Sequence, residues 1–124
     1  MTTTKMRSAR FTVTVEEQRL RDLLCSAVEG GSNYWASFSD DERTDKLDYI
    51  SVRVKVTEEP VKCKAGIVRT KLVRASDLIR GLERMAADSP GMRQHLGDFL
   101  AENDDADTAD VVLQMTLFGE VVFG

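Results

Sequence analysis

The chain is poor in the residues that most often serve as catalysts and metal ligands. It has one histidine and two cysteines among 124 residues, and it lacks the Gly-x-Gly-x-x-Gly and Gly-Lys-Ser/Thr patterns that bind nucleotide phosphates. A closed structural zinc site needs four ligands, mostly Cys or His, so this inventory argues against one. No apolar run reaches 18 residues, which argues against a membrane-spanning helix. We therefore expect a soluble protein without a metal or other cofactor.

Basic residues are fewer than acidic ones: the chain has 17 Lys and Arg and 21 Asp and Glu, so its formal net charge is −4. An acidic chain repels phosphate backbones, so direct DNA binding is not expected. Residues 53–74 differ, with seven basic residues and two acidic ones. They predict a local basic surface, which is either a solvated face or a place for phosphate or an acidic partner.

The length suits one α+β domain over residues 11–124, preceded by a flexible tail at residues 1–10. Residues 11–15 and 50–56 alternate apolar with polar side chains and predict strands. A return strand follows Pro60, with a bulge or turn at Gly66. The polar residues 36–48 predict a loop.

Alternation along the predicted antiparallel sheet separates a buried face from a basic outer face. The buried side chains are expected to be Val52, Val54 and Leu72. The outer face is expected to carry Arg53, Lys55 and Lys71. Four helices would pack on the buried side.

Helical stripes and capping signals place these four helices. A capping box of Thr14 and Glu17 would start the first, and Ser89 would cap the third. The last would run from Asp107 or Thr108 to Phe123. Because it is apolar almost all round, we expect it to be buried in a homodimer; the alternative is the centre of a monomer core.

Two glycines and two aromatic residues end the first helix and form the first candidate site. Its residues are Glu29, Gly30, Gly31, Ser32, Asn33, Tyr34 and Trp35. A positive φ at one glycine would end the helix, and the rings could stack on a flat ligand. Alternatively, both rings fold back onto the core.

An acidic turn forms the second candidate site, with Asn103, Asp104, Asp107 and Asp110 as its expected contact residues. Helix capping explains such residues better than a cation site, because the spacing lacks the calcium-loop pattern. If both turns form one cleft, with Glu29 near Asp107 or Asp110, a ligand-binding protein or small enzyme is favoured. If core side chains fill the junction, it is disfavoured.

The remaining reactive residues are expected to be structural. His95 shares an apolar stripe with Leu96 and Phe99, so a hydrogen-bonded boundary histidine is favoured over a catalyst. Cys25 and Cys63 are expected to be reduced thiols, which indicates an intracellular protein.

Two segments resemble a family of small uncharacterised proteins encoded by tailed bacteriophages and prophages. The first is Val28-Glu29-Gly30-Gly31-Ser32-Asn33-Tyr34-Trp35. The second is the ending, in residues 99–110 and then in Leu117-Phe118-Gly119-Glu120-Val121-Val122-Phe123-Gly124. The resemblance implies an accessory protein acting in the host bacterial cytoplasm, and it carries no catalytic residues. We therefore expect a non-enzymatic inhibitor of a host component, such as a defence complex or its nucleotide signal.

Overall fold

A computed structural model describes residues 4–44, 48–87 and 90–124. In these ranges the chain has four α-helices and small antiparallel sheets, so the predicted α+β class is confirmed. The helices are α1 (Glu17–Ser26), α2 (Leu78–Ala87), α3 (Arg93–Leu100) and α4 (Ala106–Phe118). The strands are β1 (Ala36–Arg43), β2 (Tyr49–Val56), β3 (Val61–Cys63), β4 (Gly66–Val68) and β5 (Thr70–Arg74).

The larger sheet has the order β1-β2-β5, and β3 pairs with β4 in a separate hairpin. In β2 the alternation acts as predicted: Val52 and Val54 are buried, whereas Arg53 and Lys55 are exposed. Gly66 adopts a φ of +102° at the turn between β3 and β4. This confirms the predicted turn, because that conformation favours glycine.

The predicted loop at residues 36–48 was wrong, because residues 36–43 form β1. As an edge strand, β1 pairs with β2 on one side only, so polar residues such as Ser37 and Ser39 can face solvent. The register shifts between Ser39 and Glu42, which interrupts the alternation that would have revealed a strand. Residues 45–47 of the predicted loop lie outside the described residues.

The predicted strand at residues 11–15 was also wrong. Residues 4–16, here called the N-terminal arm, form neither helix nor strand before α1 begins at Glu17. The N-cap residue is Glu16, without a side-chain capping bond, so the predicted Thr14 capping box is absent. Regular structure therefore starts later than the expected domain boundary at residue 11. The predicted cap at Ser89 lies outside the described part of the chain.

Helix α4 occupies the centre of the helical layer, where it packs against α1, α2 and α3. Every residue from Val112 to Phe118 is buried within the single chain. Gly119 ends the helix in a left-handed conformation with a φ of +73°, so the prediction of a helix through Phe123 was wrong. The monomer core is the alternative that the structure supports. It removes the reason for a dimer through this helix.

Candidate functional site

The two predicted turns meet at the carboxylate of Asp110, in the second turn of α4. Ser32 Oγ and the Trp35 indole Nε1 each donate a hydrogen bond of 2.7 Å to Asp110 Oδ1. The Tyr34 hydroxyl donates one of 2.6 Å to Asp110 Oδ2. Together with Gln114, these residues are here called the Asp110 cluster. The cluster fastens the glycine-rich turn to the last helix.

Gln114 is the member of the cluster that was not among the predicted site residues. Its Nε2 donates to Asp110 Oδ2 and to the Phe123 carbonyl, each at 3.1 Å. Its Oε1 accepts bonds of 2.9 Å from the backbone N–H groups of Val122 and Phe123. One fully buried amide thus holds the segment after α4 against the helix. An amide within the apolar run 111–118 was the available signal, because a buried polar side chain needs partners.

The aromatic side chain of Trp35 is part of the core. Its ring stacks on Phe123 with a centroid separation of 5.2 Å and an interplanar angle of 7°. Phe118 packs against it at 5.3 Å. The expectation that both rings fold back is therefore confirmed for Trp35, whereas the Tyr34 side chain remains exposed. The buried Trp35 ring leaves no face for stacking on a ligand.

The hydrogen bonds of the Asp110 cluster give Asp110 a structural role. Asp110 is only 7% exposed, and its two oxygens accept hydrogen bonds from four side chains. A carboxylate bonded in this way has most of its acceptor positions occupied, so it is not open to act as a base on a substrate. The two turns meet, but core side chains fill their junction. A catalytic or ligand-binding cleft here is therefore disfavoured.

The raised pKa values of Tyr34 and Tyr49 lead us to expect that the protein loses stability at alkaline pH. Desolvation of the hydroxyl group, followed by a hydrogen bond to Asp110 for Tyr34 and to Glu29 for Tyr49, raises the pKa of each tyrosine from 10.0 to about 12. Because the pKa is higher in the folded protein, this stabilisation is complete below pH 10 and is lost as the pH rises to about 12. We expect tyrosinate absorbance and loss of circular dichroism to appear together in that window. Titration of both tyrosines near pH 10 in a folded protein would contradict this expectation.

Glu29 lies outside the Asp110 cluster. The Tyr49 hydroxyl donates a hydrogen bond of 2.7 Å to Glu29 Oε1. Arg43 Nη2 donates to the same hydroxyl, and the guanidinium lies 4.2 Å from the centre of the Tyr49 ring. Glu29 therefore joins the end of the first helical segment to β1 and β2 and has no contact role with Asp107 or Asp110. Arg43 was not among the predicted site residues because it lay in a predicted loop.

The expected positive φ at Gly30 or Gly31 was wrong. Positive-φ glycines in the described chain are Gly66, Gly119 and Gly124. Residues Ala27–Gly31 instead continue α1 as a turn of π-helix, closed by the bond from Ser32 N–H to the Ala27 carbonyl at 2.9 Å. Gly31 is needed for space rather than for its conformation. A Cβ at this position would overlap the carbonyl oxygen of Ala106 at the start of α4.

Substitutions at the two glycines should therefore have unequal effects. Gly31→Ala should lower the free energy of unfolding by about 1–3 kcal/mol, because the backbone of α4 would have to move. Gly30→Ala is the matched control, since a Cβ there meets no atom within 4 Å. Urea denaturation of both variants measures the difference. Equal stabilities would show that close approach at Gly31 is not needed.

The acidic turn mainly caps α4, as predicted when helix capping was favoured over a cation site. Asp105, in place of the expected Asp107 or Thr108, is the N-cap residue, and its carboxylate accepts a 3.0 Å bond from Thr108 N–H. This bond lowers the pKa of Asp105. Asp107 is exposed in the first turn, where a carboxylate interacts favourably with the helix dipole.

Asp104 connects the same turn to α1. It forms an ion pair of 2.7 Å with Arg19, which also donates to the Phe99 carbonyl at 2.6 Å. The Arg19 guanidinium lies 4.0 Å from the centre of the Phe99 ring. The side chain of Asn103 is exposed beside this junction. These contacts hold α1 and α3 together at the start of α4.

The reactive side chains are dispersed over the fold. In the described ranges, no group of three or more His, Cys, Asp or Glu side chains could hold a metal ion. His95 is half-buried, with Nδ1 3.3 Å from Thr108 Oγ1, as expected for a boundary histidine. Both cysteines are free, and burial, followed by the nearby Glu29, raises the pKa of the Cys25 thiol. A raised pKa disfavours the nucleophilic thiolate.

The basic outer face differs in one residue from the prediction. Arg53 and Lys55 are exposed on β2, as expected. Lys71, however, pairs with Val54, so it belongs to the opposite side of the sheet, and Leu72 pairs with Arg53. The assignment of Lys71 to the outer face and Leu72 to the buried face was therefore wrong.

Arg74 takes the place expected of Lys71. It pairs with Ser51, two residues before Arg53, and is exposed. The prediction changed the phase of the alternation at Gly66 and then carried it unbroken from Val68 to Leu72. In the structure β4 ends at Val68 and a new strand begins at Thr70, which shifts the phase a second time. We call the surface formed by Ser37, Ser39, Arg53, Lys55, Thr70, Leu72 and Arg74 the open sheet face.

No family model, curated protein or solved structure matches this chain. The helices of the described residues are all too short or too polar to cross a membrane.

Proposed function

We propose that this protein is a bacteriophage-encoded accessory protein that binds and inhibits a component of its bacterial host without catalysing a reaction. The target would be a protein of a defence complex or the nucleotide signal that activates it, in the host cytoplasm. The resemblance of the glycine-rich and C-terminal segments to phage proteins supports this origin. The open sheet face supports binding as its mode of action.

The main support for a binding function is the chemistry of the open sheet face. It presents three exposed basic side chains, Arg53, Lys55 and Arg74, on a protein whose formal net charge is −4. Such a local reversal of charge attracts anionic groups, whether carboxylates of an acidic protein surface or phosphates of a nucleotide. Asp40 partly balances the face through a 3.2 Å ion pair with Arg53.

Hydroxyl groups accompany these charges. The register places Lys55 between Ser37 on β1 and Thr70 on β5, and it places Arg53 beside Ser39. Hydroxyl donors next to cations suit a carboxylate or phosphate, because charge-assisted hydrogen bonds add direction to the attraction. A rigid sheet also holds the groups at fixed spacings, which lowers the entropy cost of binding.

The competing proposal, a small enzyme or nucleotide-binding protein at the two motif turns, has less support. The Asp110 cluster uses its own donors and acceptors internally, and the buried ring of Trp35 packs on Phe123. Next to the cluster, the glycine-rich turn exposes the side chains of Asn33 and Tyr34, and Tyr34 is already bonded to Asp110. A ligand there would have to break hydrogen bonds that hold the fold together.

A pair of double variants tests the open sheet face. Lys55→Glu with Arg74→Glu reverses two charges on it, whereas Lys71→Glu with Arg80→Glu makes the same change elsewhere on exposed positions. Both pairs should leave the free energy of unfolding within about 1 kcal/mol of the wild-type value, because all four residues are exposed. We expect the first pair alone to abolish inhibition of the host component.

The measurement is affinity capture of each tagged variant from infected host cells. Mass spectrometry of co-purified proteins and small molecules then identifies the target. The wild-type protein and the Lys71/Arg80 control should recover the same host component, and the Lys55/Arg74 variant should not. Equal recovery by both variants would reduce the open sheet face to a solvated surface.

A further inference from the structure

The N-terminal arm combines exposed apolar side chains with an unused strand pattern. Phe11 is 88% exposed and Val13 is 57% exposed, whereas Val15 packs partly against the core. Residues 4–15 make no backbone hydrogen bond to another described residue. A segment of alternating apolar and polar residues acquires a stable strand conformation when a second strand satisfies its backbone groups.

The sequence of the arm is complementary to itself in one antiparallel register. With the two-fold axis at Val13, Phe11 lies opposite Val15 of a second copy and Thr12 opposite Thr14, while the two Val13 side chains face each other. Aromatic–β-branched and Thr–Thr pairs are favourable cross-strand neighbours. The three apolar side chains of each copy then share one face of the two-stranded ribbon.

Charge complementarity selects the same register. Pairing about Val13 places Arg10 of each copy opposite Glu16 of the other, which gives two ion pairs, one at each end of the ribbon. Moving the axis to Thr12 or Thr14 also preserves the apolar face, because such a shift changes the pairing by two residues. Those registers separate Arg10 from Glu16, so the register centred on Val13 is favoured.

The body of the protein provides a surface for this ribbon. An apolar groove with a volume of about 200 Å³ lies between the arm and helices α2 and α3. Its lining includes Phe11, Val13, Ile79, Leu96 and Leu100. A two-stranded ribbon is only marginally stable alone, so contact with a groove of this kind is needed to hold it.

We propose that the protein is a homodimer whose N-terminal arms pair as antiparallel strands about Val13 and close over the apolar grooves. The second copy is the occupant that the self-complementary register and the Arg10–Glu16 charges specify. This dimer leaves α4 inside each monomer. It is independent of the open sheet face, so either proposal can fail without the other.

Sedimentation equilibrium tests the dimer. The wild-type chain should have twice the monomer mass of 13.9 kDa. Val13→Glu would bring two carboxylates together at the axis and remove the burial of two valines, so the dimer dissociation constant should rise about 100-fold or more. Ser8→Glu is the control, because it adds the same charge to the arm outside the paired residues. Circular dichroism should show that both variants remain folded.

Two results would overturn the proposal. One is a wild-type monomer at concentrations up to ~100 μM, well above the range of a micromolar dimer. The other is equal dissociation of the Val13→Glu and Ser8→Glu variants. Either result would leave the arm and its groove available to a different partner, such as a host protein.

Disulfide trapping tests the register. In the proposed ribbon, residue 13 faces itself across the axis, so Val13→Cys should form an intermolecular disulfide on mild oxidation. Thr12→Cys should form one much more slowly, because its nearest copy is a diagonal neighbour roughly 7–8 Å away, beyond the usual Cα separation for a disulfide. The wild-type chain, with its two free cysteines, gives the background. Equal trapping at both positions would overturn the register.

A charge exchange provides a second check of the register. Arg10→Glu should weaken the dimer roughly tenfold, since two attractive pairs become repulsive. Adding Glu16→Arg to this variant should restore dimerisation by reversing both partners. Failure of the double variant to recover would contradict the pairing of these two positions.

Discussion

Asp110→Ala is expected to lower the free energy of unfolding by about 3–5 kcal/mol, a large part of the 5–15 kcal/mol typical of a domain. The substitution removes the acceptor shared by Ser32, Tyr34, Trp35 and Gln114. The Ser32 hydroxyl and the Trp35 indole N–H would remain buried without this partner, and each such donor costs about 1–3 kcal/mol. The glycine-rich turn would also lose its attachment to α4.

Chemical denaturation followed by tryptophan fluorescence measures this loss directly, because Trp35 is the only tryptophan and belongs to the cluster. Asp107→Ala is the matched control: it lies one turn earlier on α4 and is exposed, so it should cost less than about 1 kcal/mol. Asp110→Asn keeps one acceptor oxygen and should give an intermediate loss. An Asp110→Ala protein as stable as the control would show that the cluster contributes little to the fold.

The central strand and the helices were predictable because their signals are local and repeated. Val52, Val54 and Val56 alternate with charged residues over a full strand, and the apolar content of α4 requires burial. The edge strand β1 was missed for the opposite reason: its solvent face is polar and its register shifts near Asp40. The arm shows the converse error, in which a good strand pattern forms no strand because a strand also needs a neighbour.

Most residues of the candidate site were predicted from the sequence, but their structural role was not. The sequence identified Ser32, Tyr34, Trp35 and Asp110 as special residues, and the structure brings all four together. Their residue types, however, suit a ligand site and a buried hydrogen-bond cluster equally well. The two differ in whether other side chains of the same protein fill the site. Here the Gln114 amide bonds to Asp110, and the Phe123 ring stacks on Trp35. Contacts of this kind depend on the complete fold.

Sequence separation explains why the cluster matters for this architecture. Asp110 is 78 residues from Ser32 and 75 from Trp35, so its bonds join the beginning of the domain to its last helix. Contacts between residues so far apart in the sequence require the entropy cost of closing a long loop. A motif at both ends of a chain can therefore reflect the need to close a fold, and resemblance within it need not indicate a shared ligand.

Leu117→Glu is expected to prevent stable folding. Leu117 is 1% exposed within the single chain, so the variant would lose apolar burial and place a carboxyl group in the core. Together these changes should cost at least ~4 kcal/mol, by loss of the leucine contacts and desolvation of the new group. We expect insoluble or unfolded protein, measured by soluble yield and circular dichroism. A folded, soluble monomer would instead place Leu117 at a subunit interface.

Val121→Glu is the control that separates these two outcomes. Val121 follows the end of α4 and is 40% exposed, so the glutamate can remain in water and the variant should fold normally. If α4 were the dimer interface, both substitutions near the end of the chain would interfere with association while preserving the monomer. If α4 is the centre of each monomer, only Leu117→Glu fails to fold, because a charge between α4 and its neighbouring helices has no route to solvent.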